Sequence, residues 1–188
     1  MGKMNAPKRD YYAVRDQMQT GDVILWQGRS LFARMIRWFS EFSHASTVTR
    51  IRQYGWERVS VTEMLEGGME FRTLSERIKK FKGRVFWYHI PATNEQRFLM
   101  GQYALEMLGQ GVKYDYKGLF ANIFGRISQN AKRFICSEWS WQDWIYGKYA
   151  EPKEPTKENP FGKAPRPGDI IPWDNSRGEL TEIIMEEA

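Results

Sequence analysis

The chain has 188 residues, 41% of them hydrophobic and 27% charged, which fits one globular domain with a sizeable core and excludes wholesale disorder, a collagen-like repeat or two comfortable domains. Its 8 Trp, 9 Tyr and 11 Phe need a core or a cleft to hold them. A single cysteine excludes an internal disulfide, 2 histidines count against a four-ligand zinc site, and 28 basic against 23 acidic residues leave +5, a modest pull towards cell-wall polymer, phospholipid or nucleic acid.

Residues 1–19 read as a polar lead-in that never enters an apolar stretch, so no export signal is expected. No run approaches the roughly 18 apolar residues of a membrane-spanning helix. The expectation is a soluble chain that is cytoplasmic as synthesised. Thr20-Gly21-Asp22 then punctuates the start of a short buried strand, Val23 to Trp26. Ser30 caps a predicted helix from Leu31 to about Phe39, with Leu31, Phe32, Met35, Ile36 and Phe39 at helical spacing. Arg29, Arg34 and Arg37 take the other side, a pattern that marks a solvated face more often than an anion site.

Two alternating, β-branched segments follow, His44–Ile51 and Trp56–Glu63, joined by a predicted four-residue hairpin loop, Arg52–Gly55. A third strand is expected from Gly83 to Ile90. Thr93 and Gln96 have capping-box spacing and open a helix that should stop at Gly109. After Gly111–Asp115 and a mixed aromatic segment, Cys136 starts a Trp-rich helix running to about Tyr146. From 151 to 188 the texture changes, with 6 of the 8 prolines between Pro152 and Pro172, so this part is expected to be an extended tail packing on a 20–150 domain.

The hairpin carries a chemical consequence. If Ile51 faces Trp56, His44 falls opposite Glu63 on one face, with Cβ atoms roughly 5 Å apart. A carboxylate there orients an imidazole and stabilises its protonated form. Cys136 stands at a helix start, where the dipole and a neighbouring imidazolium both favour the thiolate, and first-turn N–H groups are candidate oxyanion donors. The plainer reading stands beside this one, because a free cysteine is more often a core residue than a nucleophile. A lone strand histidine is likewise commonly structural, as is His89 in its apolar strand. Trp139, Trp141 and Trp144 cannot all face one way on a helix, so some belong to the core.

Taken in order, Gly21-Asp22-Val23-Ile24-Leu25, Ser43-His44, Val61-Thr62-Glu63, Tyr114-Asp115 and Cys136-Ser137-Glu138 resemble the circularly permuted NlpC-type papain-like cysteine hydrolases. The pattern is most similar to the YiiX/YaeF-like branch, related to the lecithin–retinol acyltransferase-like group, and covers about Thr20 to Tyr146. Ala45-Ser46 replaces the small apolar pair usual after the histidine, and Thr62-Glu63-Met64 only approximates the apolar-Glu-Ala of the family; both departures bear on the substrate.

The resemblance implies an α+β, permuted papain-like (NlpC-type) fold, an antiparallel sheet packed against helices. It implies Cys136 as nucleophile, His44 as base and then acid, and Glu63 as the orienting carboxylate. Tyr114, Asp115 and Ser137 are candidate substrate contacts. This chemistry needs no metal or organic cofactor. The expected activity is a thiol peptidase or amidase cleaving a peptidoglycan peptide or a related short peptide through a covalent acyl-enzyme. Acyl transfer or thioester cleavage on an anionic lipid with the same site is the second reading, and a non-catalytic papain-like binding module the third. No nucleic-acid partner is expected, because +5 without a reading motif is a weak footprint.

Overall fold

The computed structural model describes residues 6–38, 40–53, 56–65, 67–114, 133–134, 136–152 and 165–185. The elements run β1 (Lys8–Asp10), α1 (Tyr11–Val14), β2 (Val23–Gly28), α2 (Leu31–Ile36), β3 (His44–Gln53), β4 (Trp56–Leu65), β5 (Gly68–Thr73), α3 (Leu74–Lys80), β6 (Gly83–His89), α4 (Asn94–Gly109), β7 (Lys113–Tyr114) and β8 (Arg133–Phe134). The cysteine helix α5 (Cys136–Tyr146), a short α6 (Ile170–Trp173) and β9 (Glu179–Ile184) complete them. Among the described residues the fold is α+β, one sheet in the order β1-β9-β6-β2-β3-β4-β5 packed against helices, plus a small β7-β8 pair.

The sheet is mixed rather than antiparallel throughout, because β1 runs parallel to β9, Lys8 facing Glu182. β9 also pairs antiparallel with β6, Val85 facing Ile183. The lead-in and the C-terminal stretch thus meet, and each supplies a strand to the sheet, that of the C-terminal stretch an interior one. Burial of apolar surface accounts for this: Ile183 is 4% exposed in the core beside Val85 and Trp87. Buried Asp174 fixes the turn before β9, accepting from Tyr88 Oη at 2.7 Å, Tyr149 Oη at 2.9 Å and Arg177 Nη2 at 2.6 Å.

Period-two alternation divides the sheet into two buried faces. Ile24, Trp26, Val48, Val61 and Trp87 pack with Leu74 and Ile78 of α3 and Tyr11 of α1. Val23, Leu25, Ala45, Phe86 and Tyr88 pack with Met100 of α4 and Trp141 and Trp144 of α5. All three helix tryptophans are core residues, since Trp139 enters a separate cluster with Met64, Ala104 and Val112. The expected capping box on α4 is present, Thr93 Oγ1 accepting from Gln96 N and Gln96 Oε1 from Thr93 N.

The Gly21-Asp22 pair has a structural purpose. Gly21 adopts φ +91°, and a Cβ there would lie 2.2 Å from Met100 Sδ. Asp22 is fully buried and accepts from Gln19 N and Arg97 Nη1, each at 2.9 Å, and from Trp87 Nε1 at 2.8 Å. His89 Nδ1 pairs with the same carboxylate at 2.9 Å, which makes it a structural partner at the sheet rim. Among the described residues no helix is long and apolar enough to cross a membrane.

Candidate active site

The β3-β4 ladder runs from Thr47 opposite Thr62 to Gln53 opposite Trp56, a shift of two from the expected register. An even shift keeps every side chain on its face. Glu63 therefore remains on the His44 face, as a diagonal rather than a direct neighbour, and its Oε2 lies 2.8 Å from His44 Nε2. Between His44 and Ser46 β3 pairs with β2, while Glu63 to Leu65 pair with β5. The two strands part here, and the start of α5 stands at the opening.

Cys136, the first residue of α5, is 3% exposed. Its thiol is hydrogen-bonded to the His44 imidazole and accepts from the backbone N–H groups of Ala45 and Ser137. Because β4 no longer covers this stretch of β3, the Ala45 N–H is free to serve the sulfur. Thr47 Oγ1 donates to Ser140 Oγ at 3.1 Å and ties α5 to β3 one turn further on. With Nε2 engaged by Glu63, Nδ1 is the ring nitrogen left for the thiol.

The electrostatics favour a charged pair. Burial opposes charge on His44, yet the Cys136 thiolate and the hydrogen bond and charge of Glu63 outweigh it and push its pKa up to about 9. Burial also opposes the thiolate, and the imidazolium with the two backbone N–H groups prevails, drawing the Cys136 pKa below its ordinary value. Glu63 is fully buried, and against that burial His44 and Arg77 hold its pKa below the usual carboxylate range.

Arg77 was not among the sequence candidates. It projects from α3, its Nε donating to Glu63 Oε1 at 2.9 Å, so the carboxylate gives one oxygen to each cation. Its guanidinium lies 4.8 Å from the centre of the Trp26 ring, under which the strand pairs with His44. Leu74 and Ile78 at helical spacing, with Arg77 between them, were the available signal for α3. Arg72 is more distant, 3.9 Å from Glu63 Oε1, and is occupied by Glu70 at 2.5 Å.

The remaining candidates divide. Ser137 was expected at the substrate, but its side chain is fully buried and its hydroxyl donates to the Pro165 carbonyl; its backbone N–H is what faces the thiol. Ser43 Oγ accepts from Gly28 N and donates to Trp26 O, each at 2.9 Å, fixing the strand before His44. Tyr114 ends β7; its side chain, and Asp115 altogether, lie outside the described residues. Gly168 N donates to Ser40 Oγ at 2.8 Å, so residues 165–169 link the first turn of α5 to the segment leading into His44.

The fold and site define an α+β protein with a buried cysteine, a half-buried histidine and a buried glutamate in one hydrogen-bonded line. No family model matches the chain, and no curated protein matches it. Among solved structures it is similar to the metalloprotein yiiX from Escherichia coli O157:H7, a DUF1105 protein, with a TM-score of 0.64 and 20% identity over 92% of this chain and 99% of that one. That likeness establishes the shared fold, and its name is that of the YiiX-like group which the sequence motifs resemble. The neighbour is called a metalloprotein; among the described residues of this chain no group of three or more His, Cys, Asp and Glu side chains is placed to hold a metal ion.

Proposed function

We propose that this chain is a cysteine hydrolase of the permuted NlpC-type papain-like class that cleaves an amide bond through an acyl-enzyme on Cys136. The observation that carries the reading is the line Cys136–His44–Glu63, with the thiol pKa lowered and the imidazole raised to about 9. A thiolate beside an imidazolium is both nucleophile and proton source at neutral pH.

Attack of the thiolate sulfur on the substrate carbonyl carbon forms the C–S bond and places the displaced electron pair on oxygen. First-turn N–H groups of α5 are the candidate donors to that oxyanion. Collapse breaks the C–N bond as His44 gives its proton to the leaving amine, leaving a thioester. His44, now neutral, takes a proton from water as the water oxygen attacks the thioester. The acid departs and the thiolate–imidazolium pair is restored. Glu63 keeps the imidazole in orientation throughout, and Arg77 keeps Glu63.

A cell-wall peptide or related short peptide is the substrate class. Purified muropeptides incubated with the reduced protein should yield new amine termini, and Cys136→Ala should abolish them. Unchanged fragments with wild type would remove this substrate class. A second reading, transfer of an acyl group from an anionic lipid to the same thiol, draws on the basic balance and the aromatic content of the chain. It predicts a fatty-acyl mass on Cys136 after incubation with phospholipid, and an unmodified protein mass would remove it.

A further inference from the structure

The chemistry above leaves α2 without a part, and α2 leaves an unusual set of side chains in water. Leu31 is 83% exposed and Trp38, just past the helix end, 78% exposed. Leu31 opens the helix and Trp38 stands in the turn that closes it, so each end of α2 offers a large apolar side chain to water. Exposed Arg34 and half-buried Met35 lie between them, whereas Ala33 and Ile36 point the other way into the protein. Exposed Arg29 precedes the helix, and neither it nor Arg34 pairs with a carboxylate among the described residues. Arg37 is half-buried near Glu41.

Single exposed apolar residues are ordinary, but a leucine and a tryptophan at the two ends of one short helix, beside guanidinium groups that meet no carboxylate among the described residues, ask for a partner with two phases. A soluble polyanion would engage the arginines and leave Leu31 and Trp38 in water. A second copy meeting the same face would cover the apolar pair but set its own arginines against these. An anionic lipid surface satisfies both, with phosphates for the guanidinium groups and the acyl boundary for an indole and a leucine. We propose that α2 docks the protein on an anionic lipid surface.

The position of α2 gives the docking a direction. The connection from 29 to 43 leaves β2 and returns at His44, and Ser43 N donates to Trp26 O at 2.8 Å where it closes. α2 therefore lies at the same end of the sheet as Cys136 and His44, and docking holds that end towards the lipid. The inference concerns where the chain works and stands whichever acyl group the thiol attacks.

Co-sedimentation of the full chain with vesicles of phosphatidylcholine alone, and of phosphatidylcholine with one third phosphatidylglycerol, tests it. The protein should pellet with the anionic vesicles and release as salt rises. Two double variants, Leu31→Ser with Trp38→Ser and Arg29→Glu with Arg34→Glu, should each weaken binding by at least about tenfold. Both alter exposed side chains, so an unchanged melting curve is expected with each. Cys136→Ala should bind as wild type does, which separates this result from the fate of the proposed chemistry. No pelleting with anionic vesicles overturns the proposal, as does binding that survives loss of Leu31 and Trp38. Retention on heparin governed by the arginines alone, without vesicle binding, would show a polyanion surface and overturn it. A dimer abolished by the apolar double variant, again without vesicle binding, would show a self-association face and overturn it too.

Discussion

Replacing His44 by Ala takes one charge away from beside the buried Cys136 thiol, and the consequence can be read on a single sulfur. In the wild type the imidazolium lowers the Cys136 pKa, and His44, pushed up to about 9, keeps its proton across the neutral range. The sign follows: the contribution of His44 is fully present below its unfolded value of about 6.5 and is lost as pH rises through about 9. Without the imidazole, burial raises the thiol pKa and the N–H groups of Ala45 and Ser137 lower it. A thiol returned to the ordinary value of about 8.5 is ionised to roughly 1 part in 300 at pH 6. The more basic thiolate is intrinsically more reactive and recovers part of that, so a net loss of about ten- to a hundredfold is expected at pH 6. Iodoacetamide alkylation from pH 5 to 10, read by intact mass, measures it directly because the chain has one cysteine. Near-UV circular dichroism of His44→Ala and His44→Gln checks that the fold survives. Superimposable wild-type and variant profiles, both with a midpoint near or above 8.5, would refute the ion pair.

Arg77→Ala should cost about 1–3 kcal/mol in urea unfolding, because Glu63 Oε1 is then left buried without its donor; Arg72→Ala, at a more exposed and already occupied side chain, should cost less than about 1 kcal/mol, and equal losses would count against the assigned geometry. Asp22→Asn should destabilise by about 3–5 kcal/mol, since Arg97 would keep its charge with no carboxylate to meet it. Asp143 on α5 is fully buried, neither carboxyl oxygen has a hydrogen-bond partner among the described residues, and burial raises its pKa well above the ordinary value. The unfolded chain ionises this group from about pH 4 while the folded one does not, so it lowers stability as pH rises, by up to about 1.4 kcal/mol per pH unit. Asp143→Asn should therefore gain on wild type as pH rises above about 4 in the same unfolding assay, and a pH-independent difference would contradict an un-ionised Asp143.

What could be read in the sequence was what short-range rules govern. The α5 boundaries at Cys136 and Tyr146, the capping box at Thr93 and the end of α4 at Gly109 follow from caps and glycine placement, and they stand in the structure. The hairpin was found with its register off by two, because the ladder continues to Gln53 and Trp56 instead of stopping at Ile51. The His44–Glu63 contact survived since two is the period of the strand. Arg77 was missed with its helix: α3 shows just two buried apolar residues, Leu74 and Ile78, too few to mark a periodic pattern. β1 and β9 were missed because their pairing joins distant parts of the chain, and a strand of three residues such as β1 has no legible period of its own. The proline-rich composition before β9 outweighs the strand signal of Thr181, Ile183 and Ile184, which lies in their β-branched side chains.

The interior position of β9 sets an order of events while the protein is being made. The hairpin and both of its neighbours, β2 and β5, can pair as soon as they leave the ribosome, since their partners lie nearby in the chain. β6 cannot be covered on its far side until residues 179–184 have emerged, and β1, made before every other described strand, waits for the same strand. Through that interval the apolar run Val85 to Tyr88 presents an open edge, the kind of surface that invites chaperones or mispairing. A nascent chain arrested before residue 179 would carry its cysteine helix and its histidine strand and still lack a closed sheet to hold them together.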